Sequence, residues 1–479
     1  MNFKGNEVLS VGIDIGTTTM SMIVSRLEMK NTAASYMVPE VNITSKNIIY
    51  RSGIYMTPLI SRTMLDGEKI SQVIADEYHK AGIKPSDVDT GAVIVTGESA
   101  LKENARVLIE QLSRFAGDFV VSTAGPDLES IIAGRGSGAE EFSKKYGCTV
   151  ANLDIGGGTT NISVFSCGEL LGQTCLDAGG RLVIYDPASR RISYVSKRLN
   201  DAAALYGASF SEGSIADELT LHRAAGFLAD AIIDSLRFSH REITRVTTTS
   251  GSSPLVLSDP VQYVSFSGGV ADCYYNDIND VYTYGDLGPA LAQELKKRVP
   301  GEGFTVIRPT ETIRATVVGA GTYMTNVSGS TISYNEDIFP IKNLSVLVVS
   351  PDSEELLYRG EPGKLIEELR WYLGQSQQDN AAICIKGKEK ISYGELRNLA
   401  ESLLETDRSA IDRALPLIII CENDMAKALG MVIRRSAGIQ KSILCLDRIK
   451  ARSGDYIDIG YPVMDGIAVP VVIKTLIFG

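Results

Sequence analysis

The sequence predicts an α/β protein made of two duplicated halves around a cleft, followed by a smaller C-terminal α/β domain. The first observation is that Gly-Ile-Asp-Ile-Gly-Thr-Thr-Thr at residues 12–19 is nearly repeated as Leu-Asp-Ile-Gly-Gly-Gly-Thr-Thr at residues 153–160. The second is that strand-like and helix-like segments alternate between residues 345 and 446, as in parallel sheets with crossover helices. We therefore expect three units, over residues 1–124, 125–335 and 340–479.

The first half opens with an apolar strand over residues 8–14 and an alternating antiparallel neighbour over residues 19–26. A helix over 70–81 is expected to end at Gly82, because glycine readily adopts the left-handed conformation that closes a helix. The pattern predicts a second helix over 101–115 and further strands over 47–50, 54–59, 92–96 and 119–122.

The second half begins with a helix of small and apolar residues over 128–134, entered through Gly125-Pro126-Asp127. A long helix is predicted over 214–236, and a strand over 263–267 leads into Gly268 and Gly269. A second small-residue helix over 315–322 closes this unit. The remaining predicted strands lie over 161–165, 170–176, 181–186, 191–195 and 305–307.

The C-terminal domain follows a linker predicted over 328–341 and ends in a β-rich tail over 455–478. Its predicted strands lie over 345–349, 381–386, 417–421 and 443–446, with helices over 363–373, 393–404 and 425–437. Cys421-Glu422-Asn423-Asp424 falls at the carboxyl end of a strand, where α/β sheets usually bind ligands. A helix cap at Asn423 or Asp424 explains the same residues, and we favour the cap.

Composition limits the classes of function. The chain has 479 residues, a formal net charge of −11 and a pI near 5.1, which argues against broad binding to nucleic acid or anionic membranes. Its apolar stretches are far too short to span a bilayer, and we expect a cytoplasmic protein. The seven cysteines form no Cys-x-x-Cys pair and the three histidines are dispersed, so the sequence suggests neither a disulfide framework nor a zinc site.

The two repeated turns carry the functional argument. Glycine lets the backbone approach an anion closely, so that its N–H groups can point at phosphate oxygens. Asp14 and Asp154, at the ends of the preceding strands, offer hard oxygen ligands for Mg²⁺ and its waters. A single turn of this kind is explained equally well by an ordinary hairpin. Two of them suggest a nucleotide held between two halves.

The order of the motifs over residues 8–325 resembles the actin, Hsp70 and sugar-kinase superfamily, with its ribonuclease H-like halves. That superfamily has two phosphate loops, an adenosine loop and two connecting helices. The resemblance implies that Asp14 and Asp154 hold magnesium and serve catalysis, with Asp154 able to orient the attacking water. It further implies that ATP or ADP is bound by Gly16, Thr17, Thr18, Gly156, Gly157, Gly158 and Thr159 at the phosphates and by Gly268 and Gly269 at the adenosine.

One difference from the superfamily pattern concerns the residues that support ATP hydrolysis. In Hsp70-like members the first connecting helix opens with a Glu-Pro pair that positions the hydrolytic water, whereas this chain has Gly125-Pro126. Asp127 and Glu129 lie nearby in the sequence and could substitute. Otherwise the resemblance implies a slow ATPase, and nucleotide binding is the firmer expectation.

Longer strings resemble the ethanolamine ammonia-lyase reactivating factors: residues 93–105, 116–134, 152–161 and 454–479. This resemblance implies a chaperone-like protein that uses ATP and Mg²⁺ to exchange damaged for intact adenosylcobalamin in ethanolamine ammonia-lyase. No tightly bound cobalamin of its own is then expected. Association with a bacterial microcompartment, the oligomeric state and the surface that contacts the lyase are left open.

Two other functions fit the same fold. A small-molecule kinase acting on a sugar or acid would need a catalytic carboxylate facing a substrate pocket, and no motif marks one. An actin-like assembly protein would use nucleotide to govern polymerisation, and the extra C-terminal domain makes this reading less attractive.

Overall fold

The computed structural model describes residues 7–31, 41–61, 64–95, 104, 112, 120–123, 126–323, 325–327, 338–376, 379–412, 414–437, 441–452, 455–462 and 469–475. The predicted helix over 101–115 lies outside these residues except at 104 and 112. Gly125 and most of the predicted linker over 328–341 lie outside them too.

The first half contains one mixed sheet with the strand order β3-β2-β1-β7-β8. Strand β1 is antiparallel to β2 and parallel to β7, and β7 is parallel to β8. The elements are β1 (Glu7–Ile15), β2 (Thr19–Asn31), β3 (Val41–Arg51), β4 (Tyr55–Met56), β5 (Leu59–Ser61), β6 (Met64–Leu65), α1 (Gly67–Ala81), a 3₁₀ turn (Pro85–Asp87), β7 (Thr90–Val95) and β8 (Val120–Thr123).

Helix α1 has the predicted end at Gly82, which takes φ +67°. It begins after Asp66, whose carboxylate accepts a hydrogen bond from the Lys69 N–H. Its apolar stripe, which includes Ile70 and Ile74, packs on the β1 residues that face it. Alternate β1 residues, Gly12 and Asp14, therefore lie on the opposite face of the sheet.

The second half repeats this topology in a sheet of order β11-β10-β9-β14-β15, with β9 antiparallel to β10 and parallel to β14. The predicted duplication is thus confirmed by two sheets with the same strand order and directions. The elements are α2 (Pro126–Gly136), α3 (Ala139–Tyr146), β9 (Thr149–Ile155), β10 (Thr160–Ser166), β11 (Glu169–Leu176), β12 (Val183–Tyr185), β13 (Ile192–Val195), α4 (Lys197–Ala204), α5 (Glu218–Asp234), α6 (Glu242–Thr247), β14 (Tyr263–Ser267), α7 (Gly269–Tyr275), α8 (Gly288–Arg298), a 3₁₀ turn (Val299–Glu302), β15 (Thr305–Val306) and α9 (Ala315–Tyr323).

The two halves meet where α2 and α9 cross, and the crossing depends on glycine. A Cβ on Gly136 would overlap the Ala315 carbonyl oxygen, and a Cβ on Gly319 would overlap the Ile132 carbonyl oxygen. Helix α9 also lies against β1, because a Cβ on Gly12 would come 2.5 Å from the Val317 oxygen. The small residues that predicted these two helices therefore allow their backbones to touch.

The C-terminal unit has a seven-stranded sheet of order β16-β22-β21-β17-β18-β19-β20. Strands β17 to β20 are parallel, as predicted, and apolar clusters cover both faces. The elements are β16 (Thr325–Val327), β17 (Ile341–Val348), α10 (Pro351–Arg359), α11 (Gly363–Ser376), β18 (Ala381–Ile385), α12 (Tyr393–Ala410), β19 (Leu417–Cys421), α13 (Ala426–Ala437), β20 (Ile443–Leu446), β21 (Asp455–Ile459) and β22 (Pro470–Thr475).

Two features of this unit go beyond the sequence prediction. Helix α10 is present, capped by Ser350 at its start and by Gly360 in the left-handed conformation at its end. Strand β16 directly follows the second half and pairs with β22 near the end of the chain. No helix among the described residues is long and apolar enough to cross a membrane.

Candidate functional site

The two repeated turns have the same backbone geometry. In the first, the Gly16 N–H donates a 2.9 Å hydrogen bond to the Thr19 carbonyl oxygen. In the second, the Gly156 N–H donates a 2.9 Å hydrogen bond to the Thr159 carbonyl oxygen. All residues of both turns, 16–19 and 156–159, are partly exposed at strand ends whose neighbours are buried. The sequence repeat is therefore a structural repeat.

The two turns lie against each other where the two halves meet. A Cβ on Gly157 would lie 2.8 Å from the Thr18 hydroxyl oxygen, so the turn of one half touches the turn of the other. Thr57 holds the first turn through two hydrogen bonds. Its N–H donates to the Thr18 carbonyl oxygen at 2.9 Å, and its hydroxyl donates to the Gly16 carbonyl oxygen at 2.8 Å. The Arg181 N–H braces the second turn at 2.7 Å from the Gly157 oxygen.

The predicted adenosine loop packs on the second turn. Gly268 takes φ +83°, and a Cβ there would lie 2.5 Å from the Ile155 carbonyl oxygen, so both conformation and space require glycine. By contrast, a Cβ on Gly158 or on Gly269 would meet no atom within 4 Å. These two glycines leave open space beside the turn, as a site for a bound anion and its nucleoside requires.

Asp14 and Asp154 stand at equivalent positions, one residue before the end of β1 and of β9. Asp14 is half-buried and pairs in register with Ser21 and with Ile94. Asp154 is only 6% exposed and pairs in register with Asn161 and Ser267.

Asp154 accepts hydrogen bonds on both carboxylate oxygens. The Ser267 hydroxyl donates to Oδ1 at 2.5 Å, and the Thr316 hydroxyl of α9 donates to Oδ2 at 3.4 Å. Burial raises the pKa of Asp154 to about 6, although the two hydroxyl donors favour the ionised form. Asp154 is thus held between the adenosine loop and the helix that joins the halves.

The two aspartates fit magnesium better than a metal that demands a full protein cage. The described residues contain no cluster of three or more His, Cys, Asp or Glu side chains that could hold a metal ion. Mg²⁺ is usually bound through one or two carboxylates, with waters and substrate phosphates completing its shell. Asp14 and Asp154, beside two turns that meet each other, supply donors of that kind.

The start of α2 shows what stands near the Gly125 departure. The Asp127 carboxylate accepts hydrogen bonds from the Ser252 hydroxyl at 2.9 Å and from the Gln173 amide at 3.4 Å. Asp127 is therefore engaged in holding α2 to the second half. Glu129 is buried, at 9% exposure, in the first turn of the same helix.

Sequence reasoning missed several residues of the site. Ser267 and Thr316 contact Asp154, and Asp286, two residues before α8 begins, accepts a 2.9 Å hydrogen bond from the Gly288 N–H. Burial raises the pKa of Asp286 to about 6, and the nearby Arg181 charge partly opposes this. The sequence marks Ser267 as the first residue of the Ser-Gly-Gly turn and by the polar alternation of β14, but neither pattern pairs it with Asp154.

Three further polar side chains lie in simpler surroundings. Glu218, in the first turn of α5, is 72% exposed and lies 4.0 Å from the His222 ring. The Asn423 amide donates to the Gly387 carbonyl oxygen at 3.0 Å. Asp424 pairs with Arg448 at 3.2 Å.

Comparison with known proteins gives a match over nearly the whole chain. The model of the family "Ethanolamine utilisation protein EutA" matches residues 6–479. The ethanolamine ammonia-lyase reactivase EutA of Salmonella typhimurium strain LT2 is 36% identical over 479 residues, which cover 98% of this chain and 99% of that protein. The reactivase of the same name from Escherichia coli strain K12 is 34% identical over 475 residues, with the same coverage.

Among solved structures, the Aquifex aeolicus PPX-GPPA enzyme is similar at 16% identity and a TM-score of 0.36, covering 66% of this chain and 89% of that one. The match to the family model and to the two reactivases extends through the C-terminal unit as well as both halves. The chain therefore belongs to the ethanolamine utilisation protein EutA family.

Proposed function

We propose that this protein is an ATP-dependent, chaperone-like reactivating factor for adenosylcobalamin-dependent ethanolamine ammonia-lyase. Two relatives that match 98% of the chain are named as reactivases of that enzyme. The observation that carries the nucleotide part is the meeting of two identically closed glycine turns at Thr18 and Gly157, each preceded by an aspartate.

Each half contributes one aspartate and one turn to the proposed site. Asp14 and Asp154 would hold the magnesium shell, and Gly268 and Gly269 would lie against the adenosine. Bound Mg²⁺ would supply neutralisation of phosphate charge, the main need of phosphoryl transfer. Backbone N–H groups of Thr17, Thr18, Gly157, Gly158 and Thr159 would hold the phosphates, while Gly16 and Gly156, whose N–H groups close the turns, would shape the two loops.

Turnover is proposed to be slow. Gly125 offers no carboxylate where Hsp70-like proteins have one, and Asp127 already accepts hydrogen bonds from Ser252 and Gln173. Glu129 is the remaining acidic side chain in the first turn of α2, and it is buried. A slow step suits a protein whose nucleotide state must last long enough to act on a partner.

Close backbone contacts join the two halves, and we propose that one half rotates against the other about them. Backbone contacts at Gly12, Gly136 and Gly319 place α9 against both β1 and α2. Side chains of the two halves also form a partly exposed ion pair, between Arg51 and Glu311 at 2.5 Å. Closure around ATP and opening with ADP would present different surfaces, and their difference in affinity for the lyase would loosen its damaged cofactor.

We further propose where the nucleotide lies, in which compartment the protein acts and which protein is its partner. The nucleotide lies between residues 1–124 and residues 125–335, with residues 340–479 as the third unit. The protein acts in the cytoplasm, with ethanolamine ammonia-lyase as its partner and with no tightly bound cobalamin of its own.

A reactivation assay tests this function. Ethanolamine ammonia-lyase carrying damaged cobalamin is incubated with the purified protein, Mg²⁺, ATP and free adenosylcobalamin, and its deamination activity is followed. We expect activity to return only when protein and ATP are both present, and Asp154→Asn to reduce the recovery. No recovery with the complete mixture would contradict the proposal, and ATP consumption driven by a sugar or an organic acid would favour a small-molecule kinase.

A further inference from the structure

A line of buried hydrogen bonds runs along β9 and β14 and ends at Asp154. The Ser265 hydroxyl donates to Asn152 Oδ1 at 2.9 Å, and the Asn152 amide donates to the Ser267 hydroxyl at 2.9 Å. Ser267 in turn donates to Asp154 Oδ1 at 2.5 Å. We call Ser265, Asn152, Ser267 and Asp154 the polar relay; its first three members are at most 1% exposed.

The direction of the relay is fixed by its chemistry. A serine hydroxyl has one proton to donate, and the Asn152 amide already donates to the oxygen of Ser267. The Ser267 proton is therefore available to Asp154, and each donor in the line points toward the carboxylate. Buried polar chains of this kind polarise one another and hold their members in one arrangement, because an unpaired member would be penalised.

The fold does not require this relay, as the first half shows. In the second half Asn152 pairs in register with Ser265, and Asp154 with Ser267. In the first half the equivalent pairs are Gly12 with Ala92 and Asp14 with Ile94. Glycine, alanine and isoleucine have no side-chain hydrogen-bonding groups, so the first half has the same strands without the relay.

The relay also connects two parts of the proposed site. Ser267 is the last residue of β14 and is followed at once by Gly268 and Gly269. Gly268 lies against the carbonyl oxygen of Ile155, the residue after Asp154. A shift of the adenosine loop therefore moves the donor that sets the position of the Asp154 carboxylate.

We propose that Ser267, held in place by Asn152, is a positioning residue that couples the adenosine loop to Asp154. Nucleoside contact at Gly268 and Gly269 and Mg²⁺ contact at Asp154 then strengthen each other. The inference rests on the proposed nucleotide site and adds a specific route between its two ends. It makes the second half the one in which nucleotide and metal are sensed together.

The test measures how much Mg²⁺ strengthens ADP binding to the full chain. Isothermal titration with ADP is done in excess Mg²⁺ and in EDTA, and the ratio of the two dissociation constants gives the coupling factor. Couplings between sites are typically about 5- to 150-fold. We expect Ser267→Ala to lower the factor at least about fivefold while the affinity in EDTA changes less than about twofold, and Ser267→Thr, which keeps the hydroxyl, to restore most of it.

Ser163→Ala is the matched control. Ser163 is fully buried on β10, pairs in register with Asn152, and its hydroxyl has no hydrogen-bond partner among the described residues. The Ser163→Ala substitution removes a buried hydroxyl from the strand beside Asn152 and changes no member of the polar relay. The coupling factor should therefore stay at its wild-type value.

Three results would overturn the inference. The first is an unchanged coupling factor in Ser267→Ala, and the second is an equal loss in Ser163→Ala, which would indicate general packing. The third is a wild-type chain that binds no ADP under either condition. This third result would contradict the proposed nucleotide site itself, whereas the first two would contradict only the coupling through Ser267.

Discussion

Asp14 and Asp154 occupy the same position in two sheets with the same strand order, yet their surroundings differ. Asp14 is half-buried and pairs with Ile94, whereas Asp154 is 6% exposed and accepts a hydrogen bond from Ser267. The two halves share the backbone conformation of the turn, since the N–H groups of Gly16 and Gly156 each donate a 2.9 Å hydrogen bond that closes it. The side chains around each aspartate diverged.

The difference suggests a division of labour within one cleft. Two turns with the same geometry would hold phosphate from both sides in the proposed site. The Ser267 and Thr316 hydroxyls link Asp154 to the proposed adenosine loop and to α9. Changes in the second half should therefore alter communication within the site, and changes in the first half should alter binding alone.

The largest effect is expected from removing either aspartate charge. Asp14→Asn and Asp154→Asn each replace an anionic oxygen donor by a neutral amide of the same shape. Losing a charged interaction of this kind amounts to about 1.5 to 3 kcal/mol, or roughly a 10- to 150-fold weaker Mg-ADP affinity. Titration calorimetry in Mg²⁺ measures it, with ADP in EDTA as the control. Wild-type affinity in both variants would contradict the assignment.

A smaller but structural effect is expected at the adenosine loop. Gly268→Ala places a Cβ 2.5 Å from the Ile155 oxygen at φ +83°, a strained conformation worth about 1 to 3 kcal/mol. Gly269→Ala is the matched control, because its Cβ meets nothing within 4 Å. Denaturant unfolding of the two variants should show the free energy of unfolding lowered in Gly268→Ala only. Equal stability would show that the loop does not pack on the second turn.

The smallest effect concerns pH. Burial raises the pKa of Asp286 to about 6, from the usual 3.8 of an aspartate. Its unfolded form therefore ionises first, so this residue lowers the free energy of unfolding as pH rises from about 4 to about 6. Asp286→Asn should remove that fall, and the variant should gain stability relative to wild type between pH 4 and pH 7. Parallel pH profiles in denaturant unfolding would contradict this account.

Much of the fold could be predicted from local sequence. The turns at residues 12–19 and 153–160 can be recognised from their own run of Asp, Gly and Thr residues. Gly82 ends α1 as expected. The small residues over 128–134 and 315–322 predicted α2 and α9 as helices, and the structure adds that the two helices touch. Helix α10 was missed because it has only nine residues and its cap, Ser350, lies two residues after the end of β17.

The environment of Asp154 could not be predicted in the same way. Ser267 and Thr316 lie 113 and 162 residues away in the chain, and only the parallel pairing of β9 with β14 and the crossing of α9 bring them together. Asp286 comes near Arg181, which supports the second turn, through a loop whose path no local pattern shows. Contacts that join distant segments depend on the whole fold, whereas a glycine turn depends on a few residues.

The central claim is that nucleotide state in this cleft changes how the protein meets ethanolamine ammonia-lyase. The most direct measurement is the affinity of the full chain for the purified lyase in Mg-ATP and in Mg-ADP, by surface-based binding. A ligand can shift an equilibrium only by its differential affinity, so we expect the two dissociation constants to differ by at least about fivefold. Equal affinities in the two nucleotides, or no binding in either, would contradict the account.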